Sequence, residues 1–571
     1  MTRTHQARLR RSALAAGAAL AVTAGVVAAA PESDPAPTTP KLSLIAATNT
    51  LTLDSWKEDP GVYLDLGTYL TAEGGPFELK VTRKSYKDPV VAEQIIHDGT
   101  GTTTKELPAG LVKDFSGLPD FAQISVTDTN RKVVLNKSEK YCPNNAAGRI
   151  DPDGPARSKY PESCPPNAFT LGSVWGVEKG WASNTYAGFD SAPVDLAPGK
   201  YTAKVTVNKK YRDLFGISSK PQLINLTVRE RSWEDEGAVG MRGKSAMAGH
   251  SGHDMSAMAG HGSMRPEAPA APTSGAGPSY NVGHGPLIPA PPALPWALKK
   301  ASLKSAVAPV GDGPGRTDGS RQAPAVKPNA KRPTGKAAVP DVPKPDLRSL
   351  PAYGIQISDG GQDVKGKDYL AFSANVWNAG PAQLVVDGFR SPGKELMDAY
   401  QYFYDADGTQ VGYTPTGTME WDPRPGHEHW HFTDFASYRL LKADQQEQVR
   451  SGKEAFCLAN TDAVDYTVKN ANWHPGNTDL ATACGQENSI SVREVLDVGS
   501  GDTYTQDLPG QSFDITNLPN GTYYIQVLAN PENRLKETSL DNNSALRKVV
   551  LGGKPGARTV KVPAHELVDA N

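Results

Sequence analysis

Tyr201-Thr-Ala-Lys-Val-Thr-Val207 sets the architecture of this chain. Apolar side chains recur there at every second position, so a pleated strand sends Tyr201, Ala203, Val205 and Val207 to one face and Thr202, Lys204 and Thr206 to the other. The same period returns in Val62-Tyr-Leu-Asp-Leu66, Phe121-Ala-Gln-Ile-Ser-Val126 and Leu223-Ile-Asn-Leu-Thr-Val228, with Gly, Pro, Asn and Asp between the runs. Short alternating segments punctuated by turn residues predict an antiparallel β-sandwich over residues 41–231.

Beyond it, residues 232–345 shift to Ala, Pro, Gly, Met and His with almost no aromatic or β-branched side chains. Such a stretch cannot bury a core and is expected to be a disordered linker. The alternating pattern returns in Tyr369-Leu-Ala-Phe-Ser-Ala-Asn-Val-Trp377, Gln383-Leu-Val-Val386 and Thr522-Tyr-Tyr-Ile-Gln-Val-Leu528, which predicts a second antiparallel β-sandwich over residues 346–552 and a flexible tail over 553–571. With 47 prolines and 55 glycines in 571 residues, the chain is too interrupted for one core. The fold class is therefore all-β, in two sandwich domains. An internal echo links them: Asn184-Thr-Tyr186 and Asp195-Leu-Ala-Pro-Gly-Lys-Tyr201 parallel Asp502-Thr-Tyr504 and Asn517-Leu-Pro-Asn-Gly-Thr-Tyr523. Either the first unit is a diverged copy without metal ligands, or two sandwiches converge on similar turns.

Residues 1–30 join a basic start to an apolar run ending in small residues, the pattern of a signal peptide; Arg10-Arg11 leaves twin-arginine export as an alternative. No other apolar run approaches the ~20 residues that span a bilayer, so the mature chain is expected outside the cell without a transmembrane span. A formal charge of -2, with no basic stripe interleaved with aromatics, argues against a nucleic-acid partner. The four cysteines form two local couples, Cys142 with Cys164 and Cys457 with Cys484. Two intradomain disulfides are the economical reading, because neither couple has the Cys-x-x-Cys spacing of a thiolate metal site.

His427-Glu-His429-Trp-His431 carries the chemistry. On a strand the three imidazoles fall on one face, roughly 6.6 Å apart along the backbone, and Glu428 and Trp430 on the other. Strand twist lets three neutral imidazoles converge on one ion and leave a coordination position open, as catalytic copper or zinc requires. The bland alternative is a polar strand facing water. With only eleven histidines in the chain, three on one face favour a metal.

Glu420-Trp421, His427-Glu-His-Trp-His431 and Phe432-Thr-Asp-Phe-Ala-Ser-Tyr438 together resemble the copper-binding segment of the lysyl oxidase family. Gly452-Lys453-Glu-Ala-Phe-Cys457-Leu resembles that family's cofactor-lysine segment, and Asp502-Thr-Tyr504 with Phe513-Asp-Ile-Thr516 its cofactor-tyrosine segment. Val376-Trp-Asn378-Ala-Gly380 fits a further family strand, in the same order. The resemblance implies copper bound by His427, His429 and His431, and a lysine tyrosylquinone made from Lys453 and Tyr504. It further implies that dioxygen and a primary amine are the co-substrates, and that the products are an aldehyde, ammonia and hydrogen peroxide. The amine is either a lysine side chain of an extracellular protein or a small free amine, and wall association is one setting for it. Lys453 has to shed its proton to add to an oxidised phenol ring, which burial favours.

The chain departs from the family pattern. The His and Cys expected before the three histidines are missing from Asp422-Pro-Arg-Pro-Gly426, and Ser437 stands where a further histidine is expected, so no base carries over; Asp434 is available without being singled out. The competing function is a secreted copper-storage protein without quinone chemistry, and a third reading is a cell-surface adhesion module with a structural metal. Only the enzyme needs both Lys453 and Tyr504.

The linker also holds Met241, Met247, His250, His253, Met255, Met258, His261 and Met264, including five of the chain's eight methionines. Thioethers suit cuprous and imidazoles cupric ions, so this arm is expected to capture copper. Replacing residues 241–264 by Gly/Ser is expected to slow activation at limiting copper and to leave fully loaded protein unchanged. Equal activation at limiting copper would reduce the arm to a spacer.

Overall fold

The computed structural model describes residues 40–232 and 332–570, apart from 59–60, 98–100, 166, 187, 189–190, 360–363, 391–393, 424–427, 434, 454 and 476–483. The expected signal peptide and most of the linker, with its Met/His arm, lie outside these residues. Among the described residues no helix is long and apolar enough to cross a membrane.

Strands dominate both units, as the alternation predicts, and among the described residues one short helix, Lys209–Phe215, interrupts the first. The strand Gly199–Val207 sits inside a five-stranded sheet ordered Thr50–Trp56, Gln222–Arg231, Gly199–Val207, Leu118–Asp128, Val133–Tyr141. Ala203, Val205 and Val207 are buried from it while Lys204 is exposed. Pairing is antiparallel except between Gln222–Arg231 and Thr50–Trp56. Two four-stranded sheets complete the unit around a core that includes Phe77, Phe121, Tyr141 and Trp175. The first disulfide joins Cys142 to Cys164.

Three sheets also build the second unit. One is ordered Leu347–Ser349, Tyr369–Asn378, Ser500–Tyr504, Asp462–Ala463; its strand Tyr369–Asn378 is buried at all ten positions, as expected of a strand covered on both faces. A second is ordered Ala455–Phe456, His429–Thr433, Gln410–Asp422, Met397–Tyr404, Leu384–Arg390, Ser491–Leu496. The third contains Ala436–Lys442, Gly521–Ala529 and Ser544–Lys554. Phe372, Trp430, Phe432, Tyr438 and Phe513 meet in their common core.

The sequence echo has a counterpart in space. Tyr201 donates its hydroxyl to the Ala197 carbonyl at 2.7 Å, and Tyr523 does the same to the Pro519 carbonyl at 2.8 Å. A tyrosine fastened back onto the turn before its strand is a corner that sandwiches use in general.

The second unit is larger than expected. Residues 332–345 pack on it rather than belonging to the linker: Ala338 pairs with Tyr413, whose hydroxyl bonds the Gly335 carbonyl. The expected flexible tail is ordered too. Residues Ala557–Lys561 pair with Ser544–Lys554, and the Ala570 carbonyl accepts a 2.6 Å hydrogen bond from buried Arg547. The contact that orders the chain end is Arg547, a buried guanidinium that finds an acceptor in the tail.

The units are docked. Phe169 of the first packs with Leu350, Trp377, Val464 and Val568 of the second in a small separate core. At its rim Gly172 bridges to Asp465, and a Cβ at Gly172 would collide with the Asp465 and Thr467 side chains. Gly172→Ala is therefore expected to destabilise the full chain by about 1–3 kcal/mol through overpacking, read as a lowered melting midpoint. An unchanged midpoint would mean that this contact does not hold the units together.

Candidate metal and amine site

The strand His429–Thr433 alternates as the sequence implies. Trp430 and Phe432 are driven into the core, so His429 and His431 share the opposite face. Both imidazoles are buried, with ring centres 4.6 Å apart and planes at 73°. Two imidazoles bound to one ion at about 2 Å hold their ring centres roughly 4.5–5 Å apart for bond angles near 90–110°, so this pair fits a shared metal. His427, two positions earlier, lies outside the described residues. Among the described residues no cluster of three or more His, Cys, Asp or Glu side chains forms a ligand set.

Register supplies what spacing could not. Antiparallel pairing sets Asp422 opposite His429 and Glu420 opposite His431, so both carboxylates share the histidine face. Asp422 Oδ2 lies 3.5 Å from His431 Nδ1, the placement of a carboxylate that orients a ligating imidazole through its other nitrogen.

The histidine strand is clamped by the two ends of the Cys457–Cys484 loop. Phe432 pairs with Phe456 and Thr433 with Ala455, while the Trp430 amide donates to the Cys484 carbonyl at 2.9 Å. Lys453 precedes this ladder directly and is 1% exposed. Its Nζ lies 4.7 Å from the centre of the Tyr504 ring and 5.6 Å from that of Phe456. Tyr504 donates its hydroxyl to the Cys457 carbonyl at 2.8 Å, and its ring meets Phe456 edge-on at 5.0 Å. Lys453 and Tyr504, 51 positions apart in the numbering, are thus brought into contact, and one two-residue strand ties both to the histidines.

Two carboxyls escaped the sequence reading. Asp502 is two residues before Tyr504 on the same strand face, and Glu494 receives the Leu458 amide at 3.0 Å. Both are buried, and burial pushes both well above the usual carboxylate range. The Lys453 charge and a hydrogen bond with Tyr504 work in the opposite direction on Asp502. Burial, followed by the charges of Asp502, Tyr438 and Glu494, raises the Tyr504 phenol well above its ordinary value. The period-two relation of Asp502 to Tyr504 was visible in the sequence, but nothing local marks Glu494. Asp434 lies outside the described residues.

Residues 404–559 match the lysyl oxidase family model, so the C-terminal region carries a domain of that family. Protein-lysine 6-oxidase of Sus scrofa is 33% identical over 125 residues, which are 22% of this chain and 44% of the relative. The Homo sapiens protein-lysine 6-oxidase is 33% identical over 125 residues, 26% of its length, and lysyl oxidase homolog 2 of Xenopus tropicalis is 29% identical over 136 residues, 16% of its length. The chain thus spans less than half of each of these relatives.

The buried carboxyls make a pH prediction. Their raised values mean that the folded chain keeps protons which the unfolded chain releases above about pH 4, so these groups cost stability increasingly as pH rises from there toward the folded values. Glu494→Gln keeps an oxygen for the Leu458 amide and removes one such group. Its melting midpoint is expected to fall less than that of the unsubstituted chain between pH 5 and pH 8; parallel curves would show Glu494 to be ionised in the fold.

Proposed function

We propose that the C-terminal unit is a copper-dependent amine oxidase whose quinone cofactor is made from Lys453 and Tyr504, and that it converts primary amines, lysine side chains foremost, to aldehydes. The observation that carries this reading is the buried amine of Lys453 held 4.7 Å from the Tyr504 ring centre, just before a two-residue strand that pairs with the strand bearing His429 and His431. Copper with dioxygen would supply the oxidation of the phenol; the quinone, once made, would take two electrons from the amine and pass them to dioxygen as hydrogen peroxide.

The chain's own residues supply the rest. His427, His429 and His431 would hold the metal, with Asp422 fixing the tautomer of His431. Phe456 and Tyr438 pack edge-on at 5.7 Å and, with Tyr504 against Phe456, exclude water from the ring. Asp502 sits beside Lys453 and Tyr504, where its carboxylate can take a proton from Lys453 Nζ and free that nitrogen to bond to the ring. The Cys457 carbonyl fixes the orientation of the Tyr504 hydroxyl. Export is supported by the leader pattern of residues 1–30 and by two disulfides, Cys142–Cys164 and Cys457–Cys484. The storage alternative shares the histidines but has no use for a buried lysine against a tyrosine ring.

Copper loading of the mature chain in air is expected to give a quinone absorbance and a peptide map in which Lys453 is joined to Tyr504. Both peptides unmodified after full loading would end the oxidase reading in favour of storage. Alanine at His427, His429 or His431 is expected to leave a folded protein that holds neither copper nor the link, because the metal must act before the first covalent step. Variants that form the link at the normal rate would show these histidines not to be the ligands.

A further inference from the structure

The first unit lies outside residues 404–559, and the family match gives it no task. Its contact with the second unit nevertheless falls next to the Tyr504 strand. Ser500–Tyr504 pairs on one side with Tyr369–Asn378, Ala374 opposite Tyr504, and on the other with the two-residue strand Asp462–Ala463. That short strand would leave an open sheet edge, with backbone groups to satisfy. The first unit closes it: the Leu171 amide donates to the Val464 carbonyl at 2.8 Å, the Thr170 hydroxyl to the Ala463 carbonyl at 3.1 Å, and the Tyr466 amide to the Gly172 carbonyl at 2.9 Å.

Side chains carry the contact inward. Asp462 is buried, and its Oδ2 accepts from Asn167 Nδ2 at 3.0 Å, from Asn375 Nδ2 at 3.3 Å and from the Thr503 hydroxyl. Asn375 also donates to Thr503 Oγ1 at 2.8 Å, and the Thr503 amide donates to Thr461 Oγ1 at 2.7 Å. Asn167 reaches Tyr353 as well, whose hydroxyl meets that of Thr503 at 3.2 Å. Both routes from Asn167 end on the residue that precedes Tyr504. Asn167 is itself held firmly, because its Oδ1 accepts the Phe169 amide at 2.8 Å and Phe169 is wholly buried.

We propose that Asn167 is a positioning residue for Tyr504, acting through Asp462 and Thr503, so that the first unit belongs to the machinery that joins Lys453 to Tyr504. This inference rests on the function proposed above. Bond formation needs reacting atoms ~3–3.5 Å apart and correctly aimed, and displacements near 1 Å cost on the order of a hundredfold. When Asn167 no longer donates, Asp462 Oδ2 loses one of its three donors and meets a second carboxyl instead, so the contact that holds Asp462 is remade. Its shift is passed to Thr503 and thence to the ring.

The test uses the full mature chain and copper. Asn167→Asp is nearly isosteric and keeps the oxygen that accepts the Phe169 amide, while it replaces the donor to Asp462 by a carboxylate. The link is expected to form roughly ten to a hundred times more slowly than in the unsubstituted chain, with copper stoichiometry unchanged. Thr503→Val removes the hydroxyl on which both routes from Asn167 end, and adding Asn167→Asp to it is expected to slow the link no further than Thr503→Val alone. A normal rate in Asn167→Asp, or a loss of copper in step with the link, would overturn the positioning role. So would a double variant whose loss is the product of the two single losses. If the unsubstituted chain forms no link at full copper loading, it is the oxidase reading that fails instead.

Discussion

The burial of Lys453 against Tyr504 is the constraint on which the second unit depends. An amine with 1% exposure loses most of its hydration, and the apolar rings of Phe456 and Tyr504 cannot replace it. Asp502 stands beside the amine and Glu494 acts on Asp502 in turn, and both carboxyls are buried and favour their neutral forms. The centre therefore holds two carboxyls and a phenol that burial biases to their neutral forms. Such an arrangement is costly in a purely structural core, where apolar residues of equal volume serve as well or better. It makes sense where a proton must move.

Geometry around that centre is fixed by short pieces of sheet. The two-residue strand Ala455–Phe456 binds the lysine segment to the histidine strand, and the Cys457–Cys484 disulfide closes the loop whose ends flank that strand. Short pairings are weak alone, because closing the loop costs conformational entropy that two ladder contacts do not recover. The disulfide lowers that cost by restricting the unfolded chain. On the other side of the same strand, the register against Gln410–Asp422 delivers Asp422 to His431. One strand thus carries an apolar face for the core and a polar face that holds both histidines, with a covalent tether on one edge and a carboxylate partner on the other.

The division into two units is less sharp than the sequence suggests. Phe169 and Thr170 are wholly buried between them, and the sheet that bears Tyr504 ends on backbone groups of the first unit. The Cys142–Cys164 disulfide stands three residues before Asn167 and anchors the segment that makes this contact. Each unit thus fastens, by its own disulfide, the loop that it contributes to the region around Tyr504.

Period-two alternation alone determined the all-β class, the two runs of strands and the common face of His429 and His431, because side-chain direction on a strand is a local property. Cysteine order gave the two disulfides for a similar reason: each couple is close in sequence, at separations of 22 and 27. The approximate limits of the second unit were legible, but its outer segments were not. Residues 332–345 and the chain end carry too few apolar side chains to announce strands, and they are ordered by what they cover. Only the tertiary structure decided that Lys453 meets Tyr504 at 4.7 Å, that Asp502 and Glu494 are buried, that Asp422 faces the histidines, and that Asn167 reaches Asp462. These depend on strand register and on contacts between residues far apart in the chain, and a single-residue slip in register would turn each strand's other face inward. No local pattern carries that information, because it is set by the fit of whole sheets to one another.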